Sequence, residues 1–127
     1  MQNDKEKFKK EFIKRLINLS IKTIKFAEEI KKEVVFYSIL DQLIKAITSI
    51  GANVVEAKSS SSTKDYIRFF EISLKSANES KYWLIIINNL LKNQDNKNEL
   101  KEILNEVNEV SNILASSLLT LKGKKNY

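Results

Sequence analysis

The sequence predicts an all-α fold, an antiparallel up-down-up-down bundle of four helices. Three features indicate this fold. The 127 residues include no proline and only two glycines, so little in the chain interrupts a helix. Apolar residues recur at helical spacing through four long segments. Short polar stretches separate these segments, and short connections between long helices favour antiparallel neighbours. The length fits one domain spanning residues 1–127.

The first two helices are predicted over residues 4–30 and 35–57. Both segments carry an apolar stripe at helical spacing, which indicates one buried face each. The polar turn at residues 31–33 separates them. The stripe of the first helix comprises Phe8, Phe12, Leu16, Leu19, Ala27 and Ile30. The face of the second comprises Phe36, Ile39, Leu40, Leu43, Ala46, Ile47, Ile50 and Val54.

The last two helices are predicted over residues 63–92 and 97–121. A serine run at residues 59–62 forms the connection before the third helix, and Ser62 or Thr63 is its expected N-cap. A turn at residues 93–96 precedes the fourth helix, with Asp95 or Asn96 as its cap. The basic tail, residues 122–127, is expected to fray beyond the helix.

Two helices carry more apolar surface than one bundle core needs. Each has a second stripe beside its main one, and no helix is fully surrounded in a bundle of four. Such surplus stripes favour association with another chain, so the sequence predicts a homo-oligomer. The candidate interface residues are Phe69, Ile72, Trp83, Ile87 and Leu90 on the third helix, with Ile17 and Ile21 on the first.

The composition excludes several kinds of chemistry. The chain has no cysteine and no histidine, so it lacks thiol nucleophiles, imidazole bases and the metal sites built from either. The serine run has no base partner to activate it. Glu56 and Glu79 leave an all-oxygen metal site as a remote alternative, without a loop signature to support it. We therefore expect no enzyme activity, no metal and no cofactor.

Polar residues beside the apolar face of the second helix suggest a network between helices. Ser49, Asn53 and Glu56 lie at i, i+4 and i+7 and share one stripe. Glu79 on the third helix can approach this stripe, and the guanidinium of Arg68 suits a carboxylate. The favoured interpretation is a set of interhelical hydrogen bonds that fixes the register. The alternative is a set of contacts to a ligand.

Positive charge is the remaining functional signal. The net charge is +6, and residues 1–32 hold ten basic and five acidic residues. Basic residues on the first helix cluster opposite its main apolar stripe, where they can bind phosphates. Arginines and exposed aromatic residues are sparse, so the signal is for non-specific binding to RNA or DNA. The candidate residues are Lys7, Lys10, Lys14, Lys25 and Lys32.

The middle of the chain resembles a bacterial family of four-helix-bundle proteins. The motifs are the runs at residues 49–53, 56–57 and 65–67, and Glu79 followed by residues 82–84. Some members are encoded in intervening sequences of large-subunit ribosomal RNA genes, and a related branch is the accessory protein of diversity-generating retroelements. The resemblance implies a homopentamer, and the related branch implies nucleic acid and a reverse transcriptase as partners. Gly51 and Ala57 stand where many relatives have proline and glycine. Lys45 and Asn78 stand where some have arginine.

Two interpretations of function remain. The first is a non-catalytic oligomeric bundle that binds nucleic acid as an accessory or adaptor protein. The second is a structural or protein-interaction oligomer with no role in nucleic-acid binding. The longest apolar run, residues 83–87, is too short to span a membrane, and the N-terminus lacks the apolar region of a signal peptide. We therefore expect a cytoplasmic protein with no membrane partner.

Overall fold

The computed structural model describes residues 3–34 and 36–125, and its architecture is an all-α four-helix bundle. The helices are α1 (Asp4–Ile30), α2 (Tyr37–Lys58), α3 (Thr63–Leu90) and α4 (Gln94–Lys125). Each helix packs on its neighbour in the chain, and α1 also packs on α4. The α2–α3 contact is the most extensive and the α1–α4 contact the smallest. The predicted fold class is confirmed.

Side-chain caps define where three of the helices begin. The side-chain oxygens of Asn3 and Ser62 accept hydrogen bonds from the backbone amides of Glu6, at 2.7 Å, and Asp65, at 3.1 Å. The Asn93 side chain accepts one from the amide of Asn96 at 3.0 Å. Each of these bonds satisfies an amide that has no partner within its own helix. The first contact caps α1, for which no cap was predicted, and the second selects Ser62 from the two residues predicted at α3.

The ends of the helices differ from the predicted ones by a few residues. Because Asn93 caps α4, the helix begins at Gln94 and the predicted caps, Asp95 and Asn96, lie inside it. At the other end α4 continues to Lys125, past the predicted end at residue 121. Gly123 has open space around it and carries no positive φ, so it does not terminate the helix. The expected fraying of the tail is therefore wrong up to residue 125, and residues 126 and 127 lie outside the described part.

The start of α2 falls two residues later than predicted. Phe36 occupies the N-cap position without a capping side chain, and it is largely exposed rather than part of the apolar face. Residue 35, where the sequence placed the start, lies outside the described residues. The α3 helix ends at Leu90, and Leu91 has extended backbone geometry.

The core lies along the axis of the bundle and receives side chains from all four helices. Leu43, Leu84 and Leu114 are fully buried within it. Burial of side chains of this size contributes about 1.5–3 kcal/mol each, which holds together helices rich in asparagine and serine. Phe8 was expected in this core but is 53% exposed, because it lies in the first turns of α1, where the bundle is open.

Gly51 lies where α2 approaches α1. A Cβ atom added to Gly51 would lie 3.3 Å from the Cβ of Leu16, which is tighter than ordinary van der Waals contact. The glycine thus permits close packing of these two helices. Within the described chain, the residue that a Cβ at Gly51 would meet belongs to α1 rather than to α3.

Candidate functional site

The five lysines expected to bind phosphates are all exposed. Lys7, Lys10, Lys14 and Lys25 lie on one side of α1, and Lys32 follows in the turn after it. Their positions on the helix place them away from the buried stripe that includes Leu16 and Leu19. Within the described part of the chain, none of the five side chains forms an ion pair or a hydrogen bond. We define this set as the lysine face.

Three other basic residues, Arg15 and Lys22 of α1 and Lys31 after it, are engaged by carboxylates. Lys22 pairs with Glu102 of α4 at 3.2 Å, and Lys31 pairs with Glu28 at 3.0 Å. Arg15 contacts both Glu106 and Glu109 of α4. The lysine face therefore differs from Arg15, Lys22 and Lys31 in having ammonium groups that no carboxylate of the described chain neutralises, a property that Lys5 and Lys9 of α1 share.

Arg15 joins α1 to α4. Its Nε donates to Oε2 of Glu106 at 2.7 Å and its Nη2 donates to Oε1 at 2.6 Å, a bidentate arrangement that suits the planar guanidinium. Nη2 also contacts Glu109. The hydrogen bond and charge of Arg15 lower the pKa of the Glu106 carboxyl below its ordinary value, and Glu106 raises the pKa of Arg15.

Carboxylates outnumber cations in the groove between α1 and α4. Its lining includes four carboxylates, Glu11, Glu102, Glu106 and Glu109, and three cations, Lys14, Arg15 and Lys22. Further along the same interface, burial and the neighbouring carboxyl of Glu29 raise the pKa of Glu99. Because Arg15 and Lys22 are already paired with these carboxylates, the groove itself is unfavourable for a polyanion.

An apolar patch lies on α1 and α2, beside the lysine face. Ile17, Ile21 and Ile24 of α1 and Val55 of α2 are each 43–51% exposed. Between them runs a groove of about 290 Å³ whose lining includes the small residues Ser20, Gly51 and Ala52. We call these four exposed residues and the groove the α1–α2 patch. It contains both residues of α1 that the sequence proposed for an oligomer interface.

The apolar stripe of α3 is less exposed than the sequence suggested. Phe69 and Trp83 pack partly against the core, Ile72 is half-buried and Leu90 is 40% exposed. Ile87 is fully buried among the helices of its own chain. The prediction that Ile87 belongs to an oligomer interface is therefore wrong, because its position on the helix directs its side chain to the core. The remaining four residues form what we call the α3 stripe.

The polar network between α2 and α3 is real but has different members. The Nδ2 of Asn53 donates to the backbone oxygen of Ser49 at 2.8 Å and to its hydroxyl at 3.0 Å. The hydroxyl of Ser76 donates to that of Ser49 at 2.9 Å, and Ser73 donates to the backbone oxygen of Ile50 at 2.8 Å. These bonds satisfy buried polar groups at the closest helix interface.

Three residues predicted for that network lie outside it. Glu56 is exposed, and its carboxylate forms no hydrogen bond or ion pair with the described residues. Arg68 stays on α3, where it lies 3.9 Å from Asp65 and over the ring of Phe69. Glu79 accepts a hydrogen bond from Nε1 of Trp83 at 3.3 Å. These groups face solvent rather than α2, so they do not fix the register. Among the residues that the structure describes, no acidic cluster is arranged to hold a metal ion.

Glu33 connects the two turns at one end of the bundle, which the sequence did not indicate. Its Oε1 accepts hydrogen bonds from the backbone amides of Lys92 and Asn93, the latter at 2.8 Å, and its Oε2 accepts one from Asn96 at 3.1 Å. These bonds lower the pKa of the Glu33 carboxyl. The two backbone amides lie in the turn between α3 and α4, and all three partners are about sixty positions away in the sequence.

The distribution of charge could have indicated Arg15 in advance. Arg15 and Lys22 are seven residues apart on α1, and acidic residues recur three and four positions apart on α4 at Glu99, Glu102, Glu106 and Glu109. Opposite charges with this spacing on facing helices match each other.

None of the helices in the described ranges is long and apolar enough to cross a bilayer.

Comparisons with known proteins agree with the fold. Residues 9–116 match the family model described as 23S rRNA-intervening sequence protein. The chain is also similar to a crystal structure from Bacteroides thetaiotaomicron, described as a protein with unknown function from the S23 ribosomal protein family. The two are 25% identical with a TM-score of 0.75, and the match covers 84% of this chain and 97% of the other. A comparison with curated proteins finds no match.

Proposed function

Because the chain belongs to the 23S rRNA-intervening sequence protein family, we propose that it is a non-catalytic, homo-oligomeric bundle that binds nucleic acid through the lysine face. The observation that supports this most is the lack of carboxylate partners around Lys7, Lys10, Lys14, Lys25 and Lys32 in the described chain. Arg15 and Lys22 of the same helix are instead neutralised within the protein. Unpaired lysines on one side of a long helix bind the phosphate backbone by releasing its counterions.

The expected binding is non-specific in sequence. Lysine ammonium groups contact phosphates as point charges and do not read base edges. The lysine face has no aromatic residue among its members, so it offers no platform for base stacking. The protein would act as an accessory that holds or coats RNA or DNA.

Association of several chains would strengthen this binding. The α1–α2 patch is a groove of aliphatic side chains, whereas the α3 stripe is built around Phe69 and Trp83. Two different apolar surfaces favour a head-to-tail contact, which closes into a ring when the rotation allows. A ring repeats the lysine face around its axis, and a weak contact then becomes multivalent. Five chains is the number that the resemblance implies.

A charge-reversal variant tests the nucleic-acid proposal. Lys7, Lys10, Lys14 and Lys25 are replaced together by glutamate, and fluorescence anisotropy follows binding of labelled single-stranded RNA and DNA across a salt series. The wild-type affinity should fall steeply with salt, and the variant should not bind. The matched control reverses four exposed lysines on the other helices, Lys45, Lys64, Lys75 and Lys101, and should retain most of the affinity. Equal losses in both variants, or no wild-type binding at low salt, would refute the proposal.

The alternative is an interaction oligomer with no role in nucleic-acid binding, and the α1–α2 patch is the observation in its favour. Replacing Ile17 and Ile21 by lysine places charge in the proposed contact, so light scattering should then report one chain per particle. Wild type should report several. If wild type itself has the calculated mass of 14.7 kDa, both oligomer proposals are wrong. If the oligomer forms but the lysine face does not bind nucleic acid, the alternative is favoured.

A further inference from the structure

The end of the bundle opposite Glu33 contains a pocket that neither proposed surface uses. It lies where the first turns of α1 and α3 meet the last turns of α2 and α4, and its volume is about 230 Å³. Its walls are mainly apolar and include Phe12, Ile13, Val54, Phe70 and Leu121. Small ligands bind in concave sites of this kind, with a few polar groups to fix their orientation.

Aromatic pairs give the pocket stable walls. The rings of Tyr66 and Phe70 stack with their centroids 4.9 Å apart, and those of Phe8 and Phe12 stack at 6.0 Å. Phe12 and Phe70 are buried, whereas Phe8 stays more than half exposed at the opening. An exposed phenylalanine beside a concave apolar surface is unfavourable in water, and a hydrocarbon ligand would cover it.

Among the described residues, the charge around this pocket has one sign. Its lining there includes Lys5, Lys9 and Lys58 and no carboxylate. A second, polar hollow adjoins it, since both share Lys5, Lys9, Tyr66 and Leu121. The hollow adds the hydroxyl residues at positions 60–63, which precede and begin α3. Lys9 sits at the junction, with its ammonium 5.1 Å from the centre of the Tyr66 ring.

The combined shape has an apolar interior and a cationic, hydroxyl-lined entrance. The geometry points to a binding site for a small amphiphilic anion, a medium-length hydrocarbon chain that carries a carboxylate or phosphate head. The chain would lie between Phe12, Val54 and Phe70, and the head would contact Lys9 and Lys58. The volume is below that of a typical drug-sized site, so a single short chain suits it better than a folded lipid. Ser116, Ser117 and Thr120 line one side, which leaves few groups to recognise a nucleobase.

Calorimetric titration with decanoate below its micelle concentration tests this site. Decanoate should bind once per chain, and it should raise the melting temperature by mass action. Decyl phosphate tests the other head group and should bind as well or better. Decanol and decyltrimethylammonium carry the same chain without the negative charge, and each should bind about tenfold more weakly or less because it lacks the charge-assisted contacts.

Substitutions locate the binding. Lys9→Gln with Lys58→Gln should weaken decanoate binding about tenfold, since charge-assisted contacts are lost. The matched control, Lys10→Gln with Lys64→Gln, removes the same charge outside the lining and should change little. Ser117→Trp should fill the pocket and abolish binding. If that variant does not fold, Thr120→Trp tests the same pocket. Thr120 is exposed at the rim, so the larger side chain can be placed there without entering the core.

The outcomes separate this site from the lysine face. Any of three results would overturn the proposal. The first is equal binding of decanol and decanoate, and the second is no decanoate binding in the millimolar range. The third is unchanged decanoate affinity in both the tryptophan variant that folds and the double glutamine variant. Binding of adenosine monophosphate without binding of decanoate would overturn it as well. The glutamate variant of Lys7, Lys10, Lys14 and Lys25 should still bind decanoate, so failure of one proposal leaves the other intact.

Discussion

Arg15 of α1 holds Glu106 of α4 through two parallel hydrogen bonds of 2.7 Å and 2.6 Å. This pair spans the smallest helix interface of the bundle, where few apolar contacts assist it. The sequence contains one other arginine, Arg68, which remains within its own helix. The two arginines therefore have the same chemistry and different structural roles.

Replacing Arg15 by glutamine should lower the free energy of unfolding by about 1 kcal/mol, since both side chains of the pair stay about one-third exposed and water screens their charges. Arg68→Gln is the matched control and should change it by less than about 0.5 kcal/mol. Urea unfolding followed by circular dichroism measures both. An equal effect of the two substitutions would show that Arg15 does not join the helices.

Glu33→Gln should destabilise the protein in a pH-dependent way. The hydrogen bonds from Lys92, Asn93 and Asn96 lower the folded-state pKa of Glu33 below its ordinary value of 4.5. Because its pKa is lowered, the ionised Glu33 stabilises the folded protein above the unfolded-state pKa. This stabilisation is lost as the pH falls through the folded-state pKa of Glu33. The melting temperature of the variant should lie below wild type at pH 7, and the difference should shrink below about pH 4.5. A constant difference across this range would contradict the assignment.

Glu99→Gln should have the opposite effect. Burial and the neighbouring Glu29 raise the folded-state pKa of Glu99 above 4.5, so its contribution to stability is present at low pH and is lost as the pH rises through the folded-state value. Glutamine mimics the protonated form at every pH. At pH 7 the variant should therefore melt about 2 °C higher than wild type, and thermal scans at about pH 4 should show a smaller gain. A lower melting temperature at pH 7 would contradict this.

The two glycines should respond differently to alanine. Gly123→Ala should stabilise the protein by up to about 1 kcal/mol, because the glycine is helical and has no neighbour to clash with. Gly51→Ala should gain less or lose stability, because the new methyl group must displace Leu16. Gly51→Val should cost about 1–3 kcal/mol by overpacking. Denaturant unfolding ranks the three variants, and a fully stable valine variant would show that α1 can move aside.

The helices and their order were predictable because apolar periodicity is a local property of the chain. The lysine face was equally predictable from the sequence, since residues far from the buried stripe of a helix face solvent. The exact rotation of a helix was harder to predict. Ile87 and Leu90 occupy neighbouring positions of one stripe, yet the first is fully buried and the second is 40% exposed. A shift of a few tens of degrees decides between these outcomes, and tertiary packing determines it.

Long-range partners were not predictable from spacing alone. The spacing of charges on α1 and α4 indicates that Arg15 can face acidic residues, but only the register of the two helices selects Glu106 and Glu109 as its partners. The same holds for Gly51, whose neighbour depends on which helix lies closest, and for Glu33, whose partners belong to a turn about sixty residues away. Ser73 and Ser76 were overlooked because serine within a helix is ordinary, and their hydroxyls are significant only where α2 lies against α3.

Trp83 is the one tryptophan of the chain, and its position makes it an optical reporter. Its indole nitrogen donates to Glu79 at 3.3 Å and its ring meets that of Tyr82 edge-on, with centroids 5.3 Å apart. All indole fluorescence of the protein therefore originates on the α3 stripe. A neighbouring chain that covers this stripe would exclude water from the ring and shift its emission to shorter wavelength. Dilution of the unlabelled wild-type protein would then reveal association through its own emission spectrum.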